Sequence, residues 1–373
     1  MAEHPIGLQQ LGDAIHGALE LSTRSDGLAP LRLPEWTRVQ HADGGLERVS
    51  AQTSGVRIML ITTASRITLD ATFTRTASPV HPARPFGVVA EVDGLARIAT
   101  LDEGDVLVEA PDRGAQRRPG SRSRVTFQFA ASTVERVITL WLPTSAAVVL
   151  HGLSADAPLR AAPPTGPRWT HYGSSISHGS DLEDPRSPWP QQVARTQGLD
   201  LVNLGFAGNA MLDAVVARAI AQHPAELISL KMGINIVNGD TMRARAFVPA
   251  VHNFLDLVRA GHPSTPLAVI TALACPIHED ATGPTREVSP GQAGATPRPI
   301  PPGDGSLTLR RTRSLLERVV ELREDPQLHL VDGLALLSAE DGHLPDNLHP
   351  DVEGHELIAA RFAPVANRLL RRR

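Results

Sequence analysis

Residues 173–179 read GSSISHG, two glycines bracketing three serines and a histidine, and residues 346–350 read DNLHP. A Gly/Ser-rich heptapeptide is a loop by default, so what lies elsewhere in the chain decides whether it carries a nucleophile. A serine hydroxyl is a weak nucleophile and needs an adjacent base. His349 can take the proton of Ser175, and Asp346, three residues upstream on the same turn, can orient the other ring nitrogen. Attack on an acyl carbon creates an oxyanion, which needs preorganised donors. The backbone amides of Ser175 and Gly208 and the side-chain amide of Asn235 can supply three. They come from GSSISHG, NLGFAGN (203–209) and GINIVNG (233–239). A glycine suits position 208 because the backbone there must approach the substrate closely. The expected catalytic residues are therefore Ser175, Asp346 and His349, and the expected oxyanion hole is Ser175, Gly208 and Asn235.

These residues come from segments far apart in sequence, so the elements between them must bring them together. After residue 167 strand and helix alternate. RWTHY, LDLVNLG, LISLKMG, LAVITAL and LHLVD read as strands. The stretch SPWPQQVARTQG reads as a helix closed by Gly198. NAMLDAVVARAIAQH places Met211, Leu212, Val215, Val216, Ala219 and Ile220 at helical spacing, and further helices are expected over 241–260, 307–323 and 352–370. Five alternations predict a parallel sheet covered on both faces. Ligands of such sheets bind outside the carboxyl ends of the strands, which is where the serine, glycine, asparagine and Asp/His segments fall. One segment breaks the rhythm. Residues 276–305 are rich in Pro and Gly and follow the fourth strand; a loop this long reads either as a lid or substrate wall or as an idle surface excursion.

The first half has a different period. RITLDATFT alternates Ile67, Leu69, Ala71 and Phe73 on one face, and FGVVAEVDGLARIATL joins two strand-like runs through Asp93-Gly94, which suits a tight hairpin turn. RVTFQFA and RVITLWL are further strands, and a short helix is expected within 8–21. Several strands separated by turn signals suggest a jelly-roll type β-sandwich. The proline-rich stretch 155–167 reads as a stiff, extended connector. The expected domains are 1–160 and 161–373.

The segment 173–179 resembles the first block of the GDSL or SGNH hydrolases, G-D-S-[LI]-[TS]-x-G. NLGFAGN is similar to their N-x-G-x-x-G block, GIN at 233–235 to their G-x-N-D block, and DNLHP to their D-x-x-H-P block. The resemblance covers residue 169 to the C-terminus. It implies a flavodoxin-like SGNH three-layer α/β domain with a five-stranded parallel sheet, preceded here by an all-β jelly-roll-like sandwich. It implies the same residue roles: Ser175 as nucleophile, Gly208 and Asn235 as oxyanion donors, Asp346 and His349 completing the triad. Two positions depart from the pattern. Ser174 stands at the first-block aspartate, and Ile236 follows the third-block asparagine. Neither is a triad member in the family. Appended domains in this family often resemble carbohydrate-binding modules, and the sandwich is read in that light.

Other residues have blander readings. Ser174 and Ser177 read as turn serines bonding nearby backbone, with Ser174 the alternative nucleophile. His178 reads as an exposed loop histidine. His343, His349 and His355 recur at intervals of six, which does not place them on one helix face, so no metal site is expected. Trp141, Trp169 and Trp189 read as core residues, and Cys275 as a buried, inert apolar residue. With one cysteine, no intrachain disulfide is possible. Among 373 residues 42% are apolar and 20% charged, with a net charge of −4; this gives no electrostatic reason to expect nucleic acid. No apolar run approaches the roughly 18–20 residues of a membrane span, and the first residues lack a signal-peptide pattern, so a cytoplasmic protein is expected. No cofactor or metal is expected. The function expected is acyl transfer through an acyl-Ser175 intermediate formed from a small-molecule acyl ester or acyl thioester. Water as acceptor gives an esterase, and an alcohol or sugar acceptor gives an O-acyltransferase. The competing class is a non-catalytic carbohydrate-binding protein on a degenerate hydrolase domain.

Overall fold

Arg66–Ala77 shows why the first half folds as sheet. Its alternate residues Ile67, Leu69, Ala71 and Phe73 are all fully buried, and the strand pairs with Ser123–Gln128 on one side and Ala146–Ala155 on the other. It belongs to an eight-stranded sheet. A six-stranded sheet contains Arg57–Thr62, Phe86–Val92, Leu95–Leu101 and Arg136–Trp141. Apolar faces of both sheets share one core, with Leu69, Phe73 and Leu150 from the first and Leu60, Val88 and Leu140 from the second. The Asp93-Gly94 turn has left-handed φ at both residues, 52° and 76°, and brings Val92 opposite Leu95. One pairing in the larger sheet is parallel, that of Arg66–Ala77 with Asp105–Ala110. Within the stretch expected to be a connector, Arg160–Ala161 is a two-residue edge strand on Arg57–Thr62. A short helix, Gly44–Ala51, interrupts what sequence reading took as all-β; its start at a Gly-Gly pair hides it from propensity.

This computed structural model describes residues 3–78, 82–110, 114–297 and 303–371. The chain divides into two compact units. One comprises Met1–Trp36, Ser50–Thr165 and Gly179–Ser187; the other comprises Thr37–Val49, Gly166–His178 and Pro188–Arg373. No helix among the described residues is long and apolar enough to cross a membrane.

The second unit is built on five parallel strands, here β1 (Arg168–Gly173), β2 (Asp200–Gly205), β3 (Leu227–Lys231), β4 (Leu267–Ile270) and β5 (Leu328–Val331). Their order is β2-β1-β3-β4-β5, so the direction of winding reverses beside β1, and the crevice of an open sheet forms there. The unit's helices include, in chain order, α1 (Ser175–His178), α2 (Trp189–Gln197), α3 (Ala214–Gln222), α4 (Ile234–Gly239), α5 (Ala244–Gly261), α6 (Leu309–Arg323) and α7 (Val352–Leu370). Gly198 ends α2 with a left-handed φ of 63°. On one sheet face Trp169 of β1 lies 5.9 Å from Trp189 of α2 and 5.5 Å from Phe362 of α7, ring centre to ring centre. On the other, Tyr172 packs against Phe254 of α5 at 5.0 Å. Each such aromatic pair adds about 0.5–1.5 kcal/mol beyond its buried area. This core fixes the strand ends from which the site is built.

Candidate active site

β1 runs directly into a single helical turn. The Ser177 and His178 amides close it on the Ser174 carbonyl, at 3.0 and 2.9 Å, and Ser175 is its first residue. The Ser175 amide therefore has no acceptor within the turn. Glycines at two strand ends let the turn sit close. A Cβ on Gly173 would come 2.3 Å from Ser177 Oγ, and one on Gly205 would come 2.4 Å from the His178 amide nitrogen.

Ser175 Oγ lies 2.9 Å from His349 Nε2, across 174 positions of sequence. His349 Nδ1 lies 2.7 Å from Asp346 Oδ2. The other carboxylate oxygen, Oδ1, accepts the amides of Leu348 at 2.8 Å and His349 at 2.6 Å. Burial alone would raise the Asp346 carboxyl, but the His349 ring and amide, with the Leu348 amide, hold it down at about 2. An ionised Asp346 fixes the His349 tautomer with its proton on Nδ1 and leaves Nε2 free to accept from Ser175.

The loop after β2 carries Gly208, whose φ is 69°. Apart from its chain neighbours, no atom of the described residues lies within 4 Å of where its Cβ would be. The physical need for glycine is thus the left-handed backbone, and the protein itself leaves the approach to that position open. Asn235 is 4% exposed in the first turn of α4. Its Oδ1 accepts the Ala210 amide at 3.0 Å, which turns Nδ2 the other way, where no described residue accepts from it. The Ala210–Asn235 bond joins the β2 loop to α4, and a 3.3 Å bond from the Ala207 amide to His178 Nδ1 joins it to α1. The arrangement offers a base-paired hydroxyl and unspent N–H donors on the carboxyl rim of the sheet. That is the equipment for making and stabilising a tetrahedral acyl adduct.

Several side chains differ from their sequence reading. His178 is fully buried rather than exposed. Ser177 bonds no mere turn backbone: its Oγ meets His171 Nε2 at 2.7 Å, and His171 Nδ1 meets Ser229 Oγ at 2.7 Å, which also accepts from Trp169 Nε1 at 2.8 Å. Ser174 is likewise buried and accepts from Lys231. His343 pairs with Asp351 at 3.0 Å, and His355 Nδ1 accepts the Trp189 amide at 3.2 Å. Among the described residues, no group of three or more His, Cys, Asp or Glu side chains could hold a metal. Cys275 is buried, and burial pushes its thiol up to about 12. Trp141, Trp169 and Trp189 are buried.

The long segment after β4 contains a hairpin, Thr285–Ser289 with Gln292–Ala295; its residues 298–302 lie outside the described residues. The hairpin braces the turn that holds Asp346 and His349. The Ala293 amide donates to the Asp346 carbonyl at 3.0 Å. Gln292 Nε2 donates to the Pro345 carbonyl at 2.9 Å, and Asn347 Nδ2 donates to Gln292 Oε1 at 2.8 Å. At the root of the segment, Arg313 donates to the Ala272 and Leu273 carbonyls and pairs with Glu279 at 2.6 Å. Sequence reading missed this brace, since Pro and Gly mask strand propensity. It also missed Thr37–Val49. A Cβ on Gly45 would come 2.7 Å from Asn209 Oδ1, next to Gly208. No local pattern announces so distant a contact.

Comparison with known proteins covers both halves. The model of the GDSL-like lipase/acylhydrolase family matches residues 171–357, and that of the SsfX3 N-terminal domain matches residues 14–151. No curated protein matches the chain. The chain is similar to the structure of the salicylyl-acyltransferase SsfX3 from a tetracycline biosynthetic pathway, with 27% identity, a TM-score of 0.77 and 94% of each chain covered. It shares its fold with a GDSL-like lipase from Bacteroides ovatus (18% identity, TM-score 0.71, 99% of this chain and 98% of that one). The fold is also that of an active-site mutant of a family two carbohydrate esterase from Clostridium thermocellum (14% identity, TM-score 0.63, 95% of this chain and 98% of that one).

Proposed function

The chain belongs to the GDSL-like lipase/acylhydrolase family, an enzyme family, and on that premise we propose that it transfers acyl groups from a small-molecule ester or thioester through an acyl-Ser175 intermediate. The observation that carries the reading is the relay Ser175 Oγ–His349 Nε2, 2.9 Å, and His349 Nδ1–Asp346 Oδ2, 2.7 Å. Ser175 Oγ attacks the acyl carbon as His349 Nε2 takes its proton. Asp346 stabilises the resulting imidazolium. The oxyanion is met by the Ser175 and Gly208 amides and by Asn235 Nδ2. Collapse expels the alkoxide or thiolate, which takes the proton from His349. An incoming hydroxyl then gives its proton to His349, attacks the acyl-serine, and regenerates the Ser175 hydroxyl on collapse.

The incoming hydroxyl separates two readings. The first is ester hydrolysis, which water completes without a dedicated acceptor site. The second is transfer to a small-molecule alcohol, and one observation favours it: the likeness to an acyltransferase extends through both halves of the chain. In either reading the chemistry belongs to 161–373, and 1–160 is read as an appended sandwich of jelly-roll type, similar to carbohydrate-binding modules. The test is partitioning of the acyl-enzyme. A chromogenic acyl ester is turned over in water with rising concentrations of small alcohols and sugars. Hydrolysis predicts free acid as the product throughout. Ester products formed in preference to acid at millimolar alcohol would establish the second reading.

A further inference from the structure

Lys231 is the only lysine in the chain, and it is buried. It ends β3 with 2% of its surface exposed. Its Nζ donates to Ser174 Oγ at 3.0 Å, and no acidic side chain accompanies it among the described residues. The place of that bond matters. β1 and β3 pair in parallel as far as Tyr172 opposite Leu230. Lys231 is the next residue of β3, and Ser174 lies just past the end of β1. The side-chain bond thus continues the strand pairing beyond the last backbone rung. At one end it reaches the residue before Ser175. At the other it holds the strand whose next turn delivers Asn235, four residues on.

Lys231 shares a sheet face with Ser229, two residues back. The titratable groups coupled to it there are His171 from β1 and His355 from α7. Burial holds both imidazoles neutral, His171 well below its ordinary value and His355 at about 3. β4, on the other side of β3, has no titratable side chain over Leu267–Ile270. Burial also pushes the Lys231 ammonium down to about 7. A buried amine with one hydroxyl partner is a poor way to stabilise a fold, and replacing a buried charge by an apolar group of similar size is often neutral or stabilising. A local rule broken beside the reacting group points to function.

We propose that Lys231 is a positioning residue for acyl transfer: by bonding Ser174 it locks the turn carrying Ser175 to the strand that delivers Asn235, and so holds nucleophile and oxyanion donor in one geometry. The inference rests on the acyl-Ser175 reading. It assigns a role to the departure at position 174. Serine there accepts from lysine, and Ser174 is a support, not the nucleophile.

The test compares Lys231→Met, Ser174→Ala and Ser175→Ala in the full chain. Lys231→Met keeps the length of the side chain and removes the donor; Ser174→Ala removes the acceptor and leaves the amine. Both should lower kcat by roughly 10- to 100-fold, the scale of a small misplacement of reacting groups, with KM within about twofold. Lys231→Met should keep the thermal midpoint, whereas Ser174→Ala, which leaves the buried amine without its partner, should lower it. The single lysine also permits a direct reading. Protein carrying lysine ¹³C-labelled at Cε gives one Cε resonance, which should titrate well below the ordinary ~10.4, at about 7. Wild-type kcat in Ser174→Ala, or a fall in midpoint that accounts for the lost activity in both variants, would overturn the proposal. Turnover surviving in Ser175→Ala would instead remove the reading on which the proposal stands.

Discussion

Asp346 does two jobs with one carboxylate, and they need both of its oxygens. Oδ1 holds the Leu348 and His349 amides, and Oδ2 meets the imidazole. Asparagine has one oxygen and can serve the turn or the ring, not both. Asp346→Asn should therefore keep the fold and lose rate, by up to ~10⁴ if the tautomer is as important as in the serine-protease triad. Near-normal turnover would leave a Ser–His pair oriented by something else. The same carboxyl also links stability to pH. Its folded value of about 2 lies below the ~3.9 of an unfolded chain. Its contribution is present above ~3.9 and is lost as pH falls through about 2. Between pH 5 and 2 the thermal midpoint of the wild type should fall more steeply than that of Asp346→Asn, by calorimetry; parallel curves would contradict the linkage. The meeting of Ser175, His349 and Asp346 was legible because a hydroxyl, an imidazole and a carboxylate suited to such a relay are recognisable by type. Lys231 was not: it stands in an apolar strand run, and its partner Ser174 is set by the register of β1 against β3.

At the scale of elements, the site depends on how loops are held. Strands and helices of the second half were legible from apolar spacing, and the sheet places their carboxyl ends together. The hairpin over the Asp346 turn was not legible, because its strands carry few apolar residues, Val288 among them and 59% exposed. Its role is to brace: Asn347 has a φ of 69° and spends its amide on Gln292. Two substitutions separate backbone from brace. Asn347→Gly relieves any demand for left-handed φ but removes the amide, and Asn347→Ala removes the amide and adds strain of roughly 1–2 kcal/mol. If the brace positions His349, both variants should lose kcat, with Ala also losing thermal midpoint. A Gly variant with wild-type kcat would show that the hairpin only covers the turn.

For the whole molecule, the change from period two to strand–helix alternation was the most legible feature, since each half repeats its own pattern many times. The grouping of Thr37–Val49 with the second unit was illegible. It rests on contacts such as Gly45 with Asn209 and Gln40 with Arg218, between residues more than 150 positions apart. The proposed chemistry is one covalent event at one oxygen, Ser175 Oγ. The most direct test is mass spectrometry of the intact chain after brief exposure to a panel of acyl esters and thioesters, with peptide mapping of any adduct and Ser175→Ala as control. The account predicts one acyl group per chain, mapped to Ser175 and absent from the control. An adduct on Ser174 or Ser177, or one that persists in Ser175→Ala together with turnover, would contradict it.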